Sequence, residues 1–203
     1  LTGEIDGYAG YTGTAWSVVS HLDGKSPDLL QTFLTVQREY RGQFSLTWLE
    51  PFGLDNTYAL TMPEDVAARL GIERISDLLP HQAELRAGFS IEFSERPDGL
   101  PGLRAHYGLN LANARPLEHG LAYSALANGA IDLMDAYSTD GKLLRFPVRV
   151  LEDDRRFFPP YHAAPVMRSD TLARDPALAE ALTQLAYRIR DREAQALNFL
   201  VER

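Results

Sequence analysis

Short apolar runs broken by glycine, proline or acid clusters alternate along this chain with longer segments whose apolar residues recur at helical spacing. Ile5–Tyr8 predicts a short strand, and Thr14–His21 a helix start with Thr12 or Thr14 as cap. Leu29–Tyr40 predicts a helix, with Leu29, Leu30, Phe33, Leu34 and Gln37 at helical spacing behind Asp28 as cap. Leu46–Leu49 and Thr57–Thr61 read as strands around a loop at Pro51–Asn56, and Pro63–Leu70 as a helix stopped by Gly71. Helix, strand and helix follow at Ile75–Leu79, Leu85–Ile91 and Leu100–Tyr107. Leu117–Asn128 predicts a helix ended by Gly129, before strands at Ile131–Ala136, Leu143–Leu151 and Tyr161–Met167. Pro176–Arg192 predicts one amphipathic helix with Leu178, Leu182, Leu185 and Ile189 inward. Strands alternating with helices predict an α/β fold with mainly parallel sheets.

The chain echoes itself. "GEIDGYAGYTGT" from Gly3 and "GAIDLMDAYSTD" from Gly129 align Ile5 with Ile131, Asp6 with Asp132, Tyr11 with Tyr137 and Thr12 with Ser138. The pattern also fits a common way of entering a buried strand. Read as a repeat, it puts Tyr11 and Tyr137 at the C-terminal ends of equivalent strands, where open α/β sheets bind ligands.

Tyr58 and Tyr161 lie at loop-to-strand junctions, after "DNT" and "FFPP". Each tyrosine alone fits a ring buried at a sheet end with a wet hydroxyl. Four on separate segments also fit a shared cleft, and a box of ring faces suits a cation without N–H donors. Arg96, in "EFSERPDGLPG", is either a carboxylate clamp or a surface arginine paired with Glu95 or Asp98. Asp135, Asp140, Asp153 and Asp154 could supply the two carboxylates of a hydrolase, but Asp140-Gly141 reads as a turn and Glu152–Arg156 as a solvated loop.

Composition narrows the field. The 203 residues are 45% hydrophobic and 24% charged, enough for one large domain or two small lobes. No apolar run approaches the roughly 18 residues needed to span a bilayer. A net charge of −8 argues against a nucleic-acid partner. Cysteine is absent, which removes disulfides and thiol chemistry and leaves the compartment open. The histidines at 21, 81, 106, 119 and 162 have no metal-ligand spacing, and no nucleotide or nucleophile motif occurs. Neither metal nor cofactor nor catalytic residue is expected.

"IDGYAGYTGTA", "LEPFGLDNTYAL", "FSERPDGLPGLRAHYGL", "DAYSTDGKL" and "VLEDDRRFFPPYHAAPVMR" occur in this order. Together they closely resemble the glycine betaine/carnitine/choline-binding proteins of osmoprotectant ABC importers, along essentially the whole chain. The resemblance implies a two-lobed type II periplasmic-binding-protein fold that closes on its ligand. It implies lobe one at 1–53 and 142–203 and lobe two at 54–141. It also implies an interlobe cage for a quaternary ammonium from Tyr11, Tyr58, Tyr137 and Tyr161. Thr14 and Arg96 would hold a ligand carboxylate, and the main-chain oxygen of Asn56 would approach the ammonium methyls. The implied partners are a small quaternary amine, ergothioneine among the alternatives, and a membrane-embedded ABC permease. The implied protein is a monomer outside the cytoplasmic membrane, secreted, lipid-anchored or fused to the permease. A ligand-sensing domain of a receptor or regulator with the same fold is the alternative. Gly10 stands where the family has glutamate. The opening segment of lobe one is absent, so that lobe is expected to be incomplete.

Overall fold

The computed structural model describes residues 4–19 and 28–201. Gly3 of the echo and the end of the predicted helix at His21 lie outside the described residues. The described strands are β1 (Gly7–Tyr11), β2 (Leu46–Trp48), β3 (Tyr58–Pro63), β4 (Ala87–Phe89), β5 (Arg115–Pro116), β6 (Leu133–Tyr137), β7 (Val148–Val150) and β8 (Ala163–Arg168). The chain divides into two compact units: Leu1–Asn56 with Pro159–Ala194, and Thr57–Phe158 with Gln195–Arg203.

The first unit is built on a three-stranded sheet in the order β1-β8-β2, antiparallel throughout. The helix Leu29–Phe44 covers it, and Asp28 caps that helix by accepting from the Gln31 N–H at 2.9 Å. Its buried face is Thr32, Val36 and Tyr40, four residues apart. Leu29, Leu30 and Leu34 are exposed, so the inward stripe is rotated from the one their spacing suggested. Val36 and Tyr40 join Leu46, Trp48, Ala164 and Val166 in one core, with Trp48 set edge-on to Tyr40 at 5.3 Å. The predicted helix start at Thr14 is instead a helical turn at Thr12–Thr14 running into a wider π-type turn at Ala15–Val19. Thr12 does not cap it. Its hydroxyl donates to Pro160 O at 2.7 Å and accepts from His162 N at 3.0 Å.

The second unit holds a five-stranded sheet in the order β5-β4-β6-β3-β7. β4 is parallel to β5 and β6, whereas β3 is antiparallel to β6 and β7. The mainly parallel sheets expected from the sequence are thus replaced by mixed and antiparallel ones. Hydrophobic periodicity carries no strand direction, and each reversed pairing joins segments far apart in the chain. β3 and β6 lie inside the sheet and are buried almost throughout, as apolar runs such as Tyr-Ala-Leu-Thr-Met require. The helix at Glu64–Leu70 stops at Gly71, and Leu100–Tyr107 is helical as expected.

Three expectations give way to tertiary contacts. The predicted strand Leu143–Leu151 is a 3-10 turn at Gly141–Leu144 followed by the short β7. The predicted helix Pro176–Arg192 breaks after Pro176–Thr183, and a new helix runs Asp191–Val201. Between them Tyr187 takes φ 56, and the N–H groups of Tyr187 and Ile189 donate to Pro51 O and Phe52 O. Those bonds replace the helical ladder. Residues 142–158 and 195–203 fall in the second unit rather than in the first-lobe assignment of the sequence reading. β7 pairs with β3 there, and Asn198 Nδ2 donates to Thr139 O at 2.9 Å.

Candidate functional site

In the second unit the sequence-selected Tyr58, Tyr137 and Arg96 come together. Tyr58 opens β3, Tyr137 closes β6, and the two are direct register partners with ring centroids 5.1 Å apart. Phe93 and Phe158 complete the cluster, with centroids 5.0 and 6.1 Å from Tyr58. The guanidinium carbon of Arg96 lies 5.6 Å from the centre of the Tyr58 ring. One ring face of the cluster thus already attracts a cation. Burial pushes the Tyr58 hydroxyl up, with Tyr137 adding to it. Burial, then the Glu92 charge, pushes Tyr137 up to about 12, so both rings are neutral at physiological pH.

A relay of polar contacts holds these groups. Asp135, inside β6, accepts from Ser90 N at 2.6 Å and Ser90 Oγ at 2.7 Å. Ser90 Oγ in turn accepts from Phe93 N and caps the helix Ile91–Glu95. That helix carries Phe93 and Glu92 and ends on Arg96. Arg96 clamps Asp98 bidentately, at 2.8 and 2.7 Å, and donates to Glu92 Oε1 at 2.9 Å. Of the surface partners weighed for Arg96 from the sequence, Asp98 is present, and the other carboxylate is Glu92 rather than Glu95. Glu92 Oε2 accepts from the Tyr137 hydroxyl at 3.3 Å.

His119 packs 5.1 Å from the Tyr137 ring. Its Nε2 lies 2.9 Å from Asp140 Oδ2, and its Nδ1 4.0 Å from Asp135. Burial pushes His119 down, but the hydrogen bond and charge of Asp140, with Asp135, overcome it and leave its pKa raised. Asp140 also accepts from the Tyr123 hydroxyl and Tyr137 N. Burial opposes its ionisation, yet these donors hold its carboxyl below the ordinary range. Asp135, weighed as an acid/base group, is pushed up by burial against the pull of Ser90. Asp153 is no solvated loop residue. It accepts from the Tyr107 hydroxyl, Phe157 N and Phe158 N, and so fixes the loop that brings Phe158 to Tyr58.

The first unit holds Tyr11, Thr14, Asn56 and Tyr161. Tyr11 ends β1, and Thr14 closes the turn that follows. β1 and β6 have the same spans under the internal echo, each ending on its tyrosine. Tyr161 is buried, and a Cβ on Gly13 would lie 2.5 Å from its ring. Only glycine lets the ring lie against this turn. Asn56 N donates to Tyr161 O at 3.2 Å, and Asp55 Oδ1 accepts from Tyr161 N at 2.6 Å. Asp55 N donates to Asp191, and His162 lies 3.8 Å from the Asp55 carboxylate. Burial pushes Asp55 up, His162 pulls it down, and Asp191 raises it. A separate groove of about 540 Å³, at the start of β1, is lined by Ile5, Tyr8, Phe44 and Leu46 and holds none of the sequence-selected residues.

Sequence reasoning passed over Phe93, Phe158, Glu92 and His119. Phe93 and Glu92 stand in the same "EFSERPDG" stretch as Arg96, and Phe158 in the same "FFPPY" as Tyr161, so the signal was there. For His119 there was none: only the fold brings it beside Tyr137. Among the described residues no group of His, Asp and Glu could hold a metal ion, and no helix is long and apolar enough to cross a membrane.

A family described as the substrate binding domain of ABC-type glycine betaine transport systems matches residues 1–203. A glycine-betaine-binding protein of Pseudomonas aeruginosa is 39% identical over 212 residues, covering 99% of this chain and 68% of its own. The ergothioneine transport permease/ergothioneine binding protein EgtU of Helicobacter pylori is 32% identical, covering 100% of this chain and 36% of its own. The chain thus spans little more than a third of one relative and about two thirds of the other. The crystal structure of a glycine betaine/carnitine/choline ABC transporter aligns with a TM-score of 0.79 and 30% identity, over 98% of this chain and 74% of that one. The fold is that of the type II periplasmic binding proteins.

Proposed function

The chain belongs to the family of substrate-binding domains of ABC-type glycine betaine transport systems, and from that membership we propose that it captures a quaternary amine against Tyr58 and Tyr137 for delivery to a membrane permease. The observation that carries the reading is the Tyr58–Tyr137–Phe93–Phe158 cluster, with the Arg96 guanidinium already over the Tyr58 face. A trimethylammonium group cannot donate N–H hydrogen bonds. Its recognition therefore rests on ring quadrupoles and apolar contact, each ring contributing about 0.5–2 kcal/mol.

Tyr11, Thr14, Asn56 and Tyr161 are further proposed ligand contacts, and Arg96 borders the rings. The ligand class is glycine betaine, choline, carnitine or ergothioneine. The protein acts by binding, without covalent chemistry, and works outside the cytoplasmic membrane as a monomer. The acidic net charge of −8 supports a partner other than nucleic acid. Calorimetric titration with the four ligands tests the reading. Saturable heat with at least one supports it, and neither heat nor thermal shift with any of them overturns it.

A further inference from the structure

The charges around Tyr58 and Tyr137 are not balanced. Arg96 is the cation over the rings, and it meets two carboxylates, Asp98 and Glu92. These two differ in exposure. The Asp98 side chain is 5% exposed and accepts from both Nε and Nη2 of the guanidinium, which makes it the structural counter-ion. The Glu92 side chain is 55% exposed, with one oxygen on Arg96 and the other on the Tyr137 hydroxyl. Behind Tyr137, His119 stands between Asp135 and Asp140, and Lys142 lies over Tyr123 near Glu118. Among the described residues, His119 is matched there by Asp140 and Lys142 by Glu118. Among the described residues the Arg96 guanidinium at the rings is thus shared by two carboxylates, and Glu92 is the solvent-accessible one.

We propose that Glu92 is a specificity-determining residue that biases this site toward quaternary amines of net positive charge over zwitterions, an inference that rests on reading Tyr58 and Tyr137 as ammonium-facing rings. Ring faces alone do not tell choline from glycine betaine, because both present the same trimethylammonium group. A carboxylate beside the rings does. It attracts the choline cation without compensation, whereas the betaine carboxylate feels the opposite force and cancels much of the gain. Its attachment to Tyr137 and Arg96 holds the charge at the ring edge.

The test is calorimetric titration of the wild type, Glu92→Gln and Glu92→Asp with choline and glycine betaine, at one pH and at two salt concentrations. Gln keeps the shape and the acceptor for Arg96 but removes the charge. In Glu92→Gln, choline should weaken by about fivefold or more while glycine betaine changes by less than about twofold, and Glu92→Asp should keep the wild-type ratio of the two. In the wild type, choline affinity should fall more steeply with salt than betaine affinity. The salt comparison needs no variant, so equal slopes still overturn the proposal if Glu92→Gln fails to fold. Equal losses for both ligands in Glu92→Gln, or equal salt slopes in the wild type, overturn the proposal. A wild type that binds glycine betaine but not choline also overturns it and leaves the aromatic site standing. A wild type that binds neither overturns the site itself and this proposal with it.

Discussion

Tyr58 and Tyr137 face each other directly across the antiparallel β3–β6 pair, the first residue of one strand against the last of the other, with rings 5.1 Å apart and tilted 32°. Cross-strand partners on one face of a sheet are held at close range by the backbone ladder itself. The two rings therefore need no ligand to find their spacing. Preorganisation of this kind lowers the ordering cost of binding. The same register explains why both tyrosines terminate their strands: one pairing step sets both ends.

Tyr58→Ala and Tyr137→Ala should each weaken quaternary-amine binding by about 1–3 kcal/mol, through lost cation–π attraction and lost apolar contact. The phenylalanine variants keep the ring face and should lose far less. Tyr137→Phe gives up the hydroxyl's contacts to Glu92 and Tyr58. Calorimetry on the four variants checks this. Wild-type affinity in Tyr137→Ala would make that ring a packing residue.

Glycine 13 offers a test confined to the first unit. An added Cβ there meets three atoms of the Tyr161 ring at 2.5, 2.6 and 2.9 Å. Gly13→Ala should cost about 1–3 kcal/mol of stability, the usual range for overpacking a closed site. Gly42, inside the helix Leu29–Phe44, has nothing within 4 Å of its added Cβ. Gly42→Ala should instead gain up to about 1 kcal/mol from helix propensity. Urea denaturation of the two variants should move the midpoint in opposite directions.

How much of this was legible follows from the kind of signal each feature leaves. Local chemistry was readable: the Asp28 cap, the Gly71 stop, and strands that end on Tyr11 and Tyr137. Features decided by distant partners were not. The stretch after Leu182 has helical periodicity, yet Tyr187 and Ile189 give their N–H groups to Pro51 and Phe52, and the helix breaks. Strand direction was misread because β3 and β6, inside their sheet, are buried almost throughout and so read like the strands of a parallel sheet. At the site, the tyrosines announced themselves by position, whereas the Asp153 pin under Phe158 sat inside an acid run that looked like solvated loop. The arginine partner at four residues' distance was overlooked beside the nearer Glu95, although helical spacing favours the i, i+4 pair.

The pKa of His119 is raised from its ordinary 6.5, because Asp140 and Asp135 outweigh its burial. A raised pKa means that the folded state binds the proton more tightly than the unfolded chain does. The resulting stabilisation is complete below about pH 6.5 and is lost as the pH rises through the folded-state pKa. The melting-temperature advantage of the wild type over His119→Gln should therefore be largest in mild acid and shrink toward alkaline pH. Imidazole proton shifts followed by NMR should give a midpoint above 6.5. A midpoint at or below that value would mean that burial wins over the two carboxylates.

The Arg96–Asp98 pair separates a structural arginine from a ligand clamp. Asp98 is 5% exposed and Arg96 13%, so removing either partner weakens the compensation of a charge that water reaches poorly. Arg96→Gln should cost about 2–4 kcal/mol of stability, a little under the 3–5 typical of a fully buried pair. Asp98→Asn should cost less, because Arg96 keeps its contact to Glu92. The double variant should be more stable than the sum of the single losses implies, since it removes both charges together. Ligand preference supplies the second readout, with opposite signs. Arg96→Gln removes the cation that both carboxylates share beside the rings and should shift the preference toward choline. Asp98→Asn removes one and should shift it toward glycine betaine. Titrating both single variants with both ligands at one salt concentration measures the two shifts. Shifts of the same sign, or none, would mean that the charges at this loop serve the fold alone and that ligand choice is made elsewhere.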